Sequence, residues 1–140
     1  CTPDQVARYQ GRLSGPLLDR IDLHVEVGAL APEELLNAPA GESTAAVRAR
    51  CVAARERALA RQGQPNQALQ GQAIDTHARL DAAARTFLHS AAARLGWSAR
   101  ATHRALRVAR SIADLAGSEA VSLAHVAEAV QYRRALSGLG

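Results

Sequence analysis

Lysine and methionine are both missing from these 140 residues. All 17 basic side chains are therefore Arg, set against 13 acidic ones, for a formal net charge of +4. A Walker A loop needs a Lys to reach the phosphates of a nucleotide, so that loop does not lie in this sequence. With Cys1 in first place and no Met anywhere, the sequence reads as a piece of a longer chain. Aromatics are scarce: Tyr9, Phe87, Trp97 and Tyr132 are all there are. Cys1 and Cys51 are too far apart for a close metal pair and too few for a disulfide framework, which points to a reduced, cytoplasmic protein. No apolar run approaches the ~20 residues that cross a bilayer, so no membrane partner is expected. GxSxG, HExxH and CxxC patterns are absent, and none of the five His stands four residues from another.

What is present divides near residues 37–42, where a Pro- and Gly-containing stretch interrupts the pattern. Residues 1–40 form the first unit. Residues 4–12 predict a short helix, and Ser14-Gly15-Pro16 is a helix start, with Ser as cap and Pro in the first turn. A short helix over Leu17–Arg20 follows. Ile21-Asp22-Leu23-His24-Val25-Glu26-Val27 then alternates apolar and polar, the pattern of a strand with one buried face. A lone strand needs neighbours, so its sheet is expected to lie outside this sequence.

Residues 41–140 read as a bundle of about four helices. Ser43 caps a long helix to about Arg61, with Val47, Cys51, Ala54 and Ala58 on one face; Gly63 and Pro65 end it. Residues 66–80 read as a loop with a weak helix. Helices are expected over 81–95, 99–116 (capped by Ser98) and 123–136 (capped by Ser122), with Gly96 and Gly117 as stops. Ala-rich helices approach closely but bury little area per side chain, which predicts modest stability without neighbours. In the 99–116 helix, Ala105, Val108, Ala109, Ile112, Leu115 and Ala116 are the expected core face. Arg104, Arg107 and Arg110 are expected on a solvated face or paired with Asp114 and nearby acids.

Arg20 stands directly before the strand, and a guanidinium fixed there suits bidentate contact with a phosphate. The alternative is a pair with Asp19 or Asp22 that only solvates the edge. Arg100 lies in the first turn of a capped helix, where a cation opposes the helix dipole by ~0.3–1 kcal/mol unless an anion binds there.

RLSGPLLDRIDLHVEV (residues 12–27), NQAL (66–69), SARATHRALRVARSIADLAG (98–117) and HVAEAVQYR (125–133) occur in the same order in a known group. With them the sequence closely resembles the AAA+ ATPases of the magnesium-chelatase-like family, ComM (YifB) group, over nearly its whole length. The resemblance implies the following expectations. The fold is mainly α: a helical-bundle lid domain, preceded by a short helix and one β-strand of an α/β core. The parent is a homo-hexameric ring using ATP and Mg2+, a branch-migration helicase acting in natural transformation, touching DNA through upstream regions. Arg20 takes the role of an arginine finger reaching a neighbour's nucleotide, and Arg100 that of sensor 2. Without Walker A, this piece alone is expected to bind no nucleotide of its own and to hydrolyse none. Cys1 matches the last Cys of a Cys-rich stretch, a weak metal candidate beside the plainer reading of a terminal Cys with no such role. Ser111 stands where the family pattern has Thr, and a Cys expected after NQAL is replaced near His77. Two other readings stay open: the ATPase subunit of a magnesium chelatase, and a stand-alone helical module that binds DNA through its Arg stripe.

Overall fold

A computed structural model of the chain describes residues 20–25 and 27–134, together with Thr2, Asp4, Gln5 and Arg8; positions 34, 35 and 134 are described by backbone alone. The expected helix over 4–12, the Ser14 cap, the turn after Leu17, Cys1 and Glu26 fall largely or wholly outside the described residues.

The described elements run α1 (Pro32–Asn37), α2 (Thr44–Gln62), a 3-10 turn (Asn66–Ala68), α3 (Gln72–Ala78), α4 (Ala82–Arg94), α5 (Ala99–Leu115) and α6 (Leu123–Arg134). Their ends are set by local chemistry. The Ser43 hydroxyl accepts from the Ala46 N–H and the Ser98 hydroxyl from Ala101 N–H, each at 3.2 Å. Asp81 does the same for α4, at 2.7 Å from the Ala84 nitrogen. Such a cap satisfies a donor that the first turn leaves open. At α6 the Ser122 N–H donates to His125 Nδ1 at 3.1 Å, so a His closes the turn where a capping box has Glu. Gly63 ends α2 at φ 72°, a left-handed conformation that Gly adopts without a Cβ clash. Where a loop with a weak helix was expected, the chain forms the 3-10 turn and the separate helix α3. Ile74 and Ala78 are buried on α3, and that packing stabilises a helix too short to stand alone.

Helix α5 is central, packing against α6, α2 and α3, while α4 lies on α6. The core includes Leu69, Ile74, Leu88, Leu106, Val121, Val126 and Val130, interleaved with Ala84, Ala91, Ala109, Ala113 and Ala129. Facing alanines let helix backbones approach, and the few larger side chains fill the gaps between them. The two interhelix loops are pinned together: Leu80 and Val121 form an isolated parallel bridge, with Val121 N–H donating to Arg79 O at 3.0 Å.

One expectation is corrected. The buried face of α5 carries Ala105, Leu106, Ala109, Arg110, Ala113 and Asp114, whereas Leu115 is half exposed. Of the two settings expected for Arg110, the structure has the pairing with Asp114, which lies one turn on and neutralises it inside the core. Residues 21–25 and 27 form no strand ladder among the described residues; the sheet to pair with them was expected outside this sequence. The exposed side of this segment is apolar, with Leu23 at 50% and Val25 at 69% exposure, while Asp22 and His24 turn towards the helices. Among the described residues its contacts are ionic and backbone hydrogen bonds, made by the polar residues of the alternation.

Candidate functional site

Three separate stretches of sequence meet at the exposed side of α5 and α6. The His24 N–H donates to the Tyr132 carbonyl at 3.0 Å, and His24 Nδ1 lies 3.2 Å from the same oxygen. Asp22 accepts from Arg104 Nε at 2.5 Å and lies 4.0 Å from Arg133 Nη1. Arg133 in turn stacks on Trp97, 5.6 Å from the ring centroid. Arg104 also donates through Nη2 to the Arg20 carbonyl. One side chain of α5 thus holds the backbone of Arg20 and the carboxylate two residues on. The Arg20 residue itself remains exposed.

Arg104 also lines a cleft of about 480 Å³ between α5 and the start of α3, together with Arg100, His103, Arg107, Gln70 and Gly71. Arg107 is braced by donating to the Leu69 carbonyl at 3.1 Å. His103 lies 3.9 Å from Asp75. Three guanidiniums stand against two nearby carboxylates, Asp75 and the Asp22 that already pairs with Arg104, so the cleft keeps a positive balance, and its concave, partly walled form raises the local potential for an anion. Arg100, in the first turn, is exposed at its mouth. Its first-turn N–H groups are aligned with an anion placed there, except that Ser98 already takes the one from Ala101. The arrangement suits a phosphate group. Among the described residues, no three His, Cys, Asp or Glu gather to hold a metal.

At the other end of α5, a buried ionic network joins residues the sequence keeps far apart. Asp114 accepts from Arg61 at 2.6 and 2.9 Å, from Arg110 at 2.9 Å and from Asn66 Nδ2 at 2.7 Å. The Asn66 amide oxygen accepts from Arg61 and Gln62, both at 2.9 Å. Arg57 reaches the Asp114 backbone carbonyl at 2.7 Å. Arg110 also donates to the carbonyls of Ser118 and Glu119, at 2.6 and 2.8 Å, while its buried Nε has no hydrogen-bond partner among the described residues. Burial pushes the Asp114 carboxyl up, but the hydrogen bonds from Arg61 and Asn66 and the Arg110 charge outweigh it and hold it below the usual carboxylate range. Burial lowers the Arg110 guanidinium, opposed by Asp114.

The site residues read from the sequence are therefore distributed as follows. Arg20 and Arg100 are brought to the same end of α5, linked through Arg104. Cys1 lies outside the described residues. Reading the sequence missed Asp22, His24 and Arg133 as the docking contacts, since residues 82 apart carry no local signal of pairing. It also missed Arg61 and Asn66 as partners of Asp114. The available signal was the Arg110/Asp114 pair four apart, on a helix face otherwise made of Ala and Leu.

Comparison with known proteins places these contacts in a family. The chain is 44% identical to the uncharacterized protein YifB of Salmonella typhimurium over 135 residues, covering 95% of this chain. It is 43% identical to YifB of Escherichia coli over the same share, and 42% identical to the competence protein ComM of Haemophilus influenzae over 94% of this chain. It spans about a quarter (26%) of the length of each of these relatives. Residues 1–35 match the family described as magnesium chelatase, subunit ChlI. Residues 41–133, which include both the basic cleft and the buried network, match its C-terminal counterpart, and the chain belongs to the magnesium chelatase, subunit ChlI C-terminal family.

Proposed function

We propose that this chain is the C-terminal part of an AAA+ ATPase of the ComM type, a ring motor that moves DNA branches during natural transformation. The helices from α2 onward act as its lid. Arg100 contacts the phosphates of a bound nucleotide as sensor 2, and Arg20 reaches the nucleotide of a neighbouring subunit as arginine finger. The observation that carries this reading is Arg104, which lines the cleft under Arg100 while holding the Arg20 backbone and Asp22. Two arginines that serve phosphate chemistry must be held at fixed positions, and one helix positions both.

The residues fit the phosphate end of ATP. Arg100, Arg104 and Arg107 present guanidiniums to the cleft, and such groups bind phosphate oxygens in pairs. A γ-phosphate supplies the bond that is cleaved, and a finger stabilises the charge that develops, worth about 10³–10⁵ in rate. Mg2+ and the triphosphate cradle belong to residues outside this sequence, which has no Lys. The ring, the DNA contact and a cytoplasmic location belong to the same proposal. Among the described residues no helix is long and apolar enough to cross a membrane. A stand-alone DNA-binding module is less favoured, because Arg104, Arg107 and Arg110 are engaged with Asp22, Leu69 and Asp114 rather than forming a free stripe. The family description favours the ATPase subunit of a magnesium chelatase as second reading. Activity that requires added partner subunits and a porphyrin, without DNA stimulation, would select it.

The test uses the full-length parent. DNA-stimulated ATP turnover is compared between wild type, Arg20→Ala and Arg100→Ala, after assembly and ATP binding are checked. Loss of turnover with both retained is expected; turnover equal to wild type in both variants sinks the site assignment.

A further inference from the structure

One of the three guanidiniums of the basic cleft is already engaged by a carboxylate. Arg100, Arg104 and Arg107 stand on one side of α5, at spacings of four and three, and all line the cleft. Asp22 reaches Arg104 from the segment after Arg20, accepting from Nε at 2.5 Å. The Asp22 side chain is 43% exposed, and a pair this open to water and salt is held weakly. Arg133 of α6 lies 4.0 Å from the same carboxylate and is itself stacked on Trp97. Asp22 therefore has a second guanidinium within a small turn of its side chain.

A phosphate group is the better partner for this helix face. Of the three cleft arginines Asp22 pairs with Arg104, whereas a phosphate lodged among them meets all three, with more charge and more acceptor oxygens than a carboxylate.

We propose that Asp22 is a built-in competitor of the ligand of this cleft: a phosphate that enters draws Arg104 from Asp22, and Asp22 passes to Arg133. This role rests on the cleft taking the phosphate end of ATP, and it adds the residue that sets how tightly that end is held. Coupling of this kind is reciprocal, so Asp22 lowers the affinity by the same factor by which the phosphate weakens the Asp22–Arg104 pair. It also sorts ligands by charge. A singly charged anion merely replaces one carboxylate with its like, whereas a phosphate end with two or more charges gains by the exchange. The bond from the His24 N–H to the Tyr132 carbonyl lies outside the exchange, so the segment stays on α6.

The test uses full-length chains and a non-hydrolysable ATP analogue, with binding followed by calorimetry and with folding and assembly checked for each variant. Asp22→Asn keeps the shape of the side chain and removes its charge. It is expected to bind the analogue about fivefold more tightly than wild type, the factor equivalent to ~1 kcal/mol for an exposed pair. In an Arg104→Ala background the same change is expected to leave the affinity unaltered, because the contested guanidinium is gone. Arg107→Ala removes a different cleft guanidinium and is expected to weaken binding. If Arg107→Ala binds as wild type does, the cleft does not hold the phosphate, and the ATP reading of the cleft falls together with the competitor role. If Arg107→Ala weakens binding but Asp22→Asn binds no more tightly than wild type, the competitor role alone is overturned; a carboxylate that only docks the segment gives that result. Equal tightening with and without Arg104 overturns it as well, since Asp22 then acts by repulsion across the cleft and not through Arg104.

Discussion

The Asn66 amide donates to the carboxylate of Asp114 at 2.7 Å across 48 positions of sequence, inside the protein. It joins the end of α2 to the end of α5, because Asn66 also accepts from Arg61. The NQAL and SIADLAG stretches are thus two halves of one hydrogen-bonded unit.

Asn66→Ala removes the donor to Asp114 and the acceptor for Arg61 and Gln62 together. Leaving buried groups without partners costs about 1–3 kcal/mol. Urea unfolding of the chain is expected to show that loss as a lower midpoint with an unchanged slope.

Asp114→Asn is expected to cost more. Arg110 and Arg61 have side chains only 1% and 10% exposed, and both depend on this carboxylate. Removing one member of a buried ion pair leaves the other uncompensated, at about 3–5 kcal/mol. A variant within 1 kcal/mol of wild type in the same titration would show that the network is not what holds α5.

The same group sets an acid limit. The folded pKa of Asp114 is depressed, so its contribution is complete above the unfolded value of about 3.9. It is lost as pH falls below that value and through the lower folded one. Stability measured by denaturant between pH 6 and pH 3 (roughly, spanning the unfolded pKa) is expected to fall, and the fall to be shallower in Asp114→Asn.

Arg104→Ala acts elsewhere. Asp22 is 43% exposed in its side chain, so the ion pair contributes at most about 1 kcal/mol and global stability changes little. Hydrogen exchange at the His24 amide, which donates to Tyr132 O, is expected to quicken as the segment loosens. Unaltered exchange there would show that Arg104 does not hold the segment.

Much of the fold was legible because its cues are local. Ser43 and Ser98 announce α2 and α5, and Gly63 ends α2, since caps and left-handed turns are decided by a few neighbouring residues. Helix α3 was less legible because Ile74 and Ala78 are stabilised by burial against residues distant in sequence. The Arg110–Asp114 pair was legible from its spacing of four, but the Ser118 and Glu119 carbonyls that line Arg110 were not, since only the folded chain brings them there. Arg20 and Arg100 could each be singled out from their local setting in the sequence, one before the alternating stretch and one in the first turn of a capped helix. Their shared tether, Arg104, could not, since it depends on a contact across 84 positions.

Helix α5 is a rod of 17 residues, about 25 Å long at ~1.5 Å per residue. Its far end is clamped in the Asp114 network, while its near end carries Arg100 and, one turn later, the grip on Arg20. Because α6, α2 and α3 pack along the length between, both ends sit in one frame, and the distance from the mouth at Arg100 to the backbone of Arg20 is set by the same helix that the Asp114 network anchors.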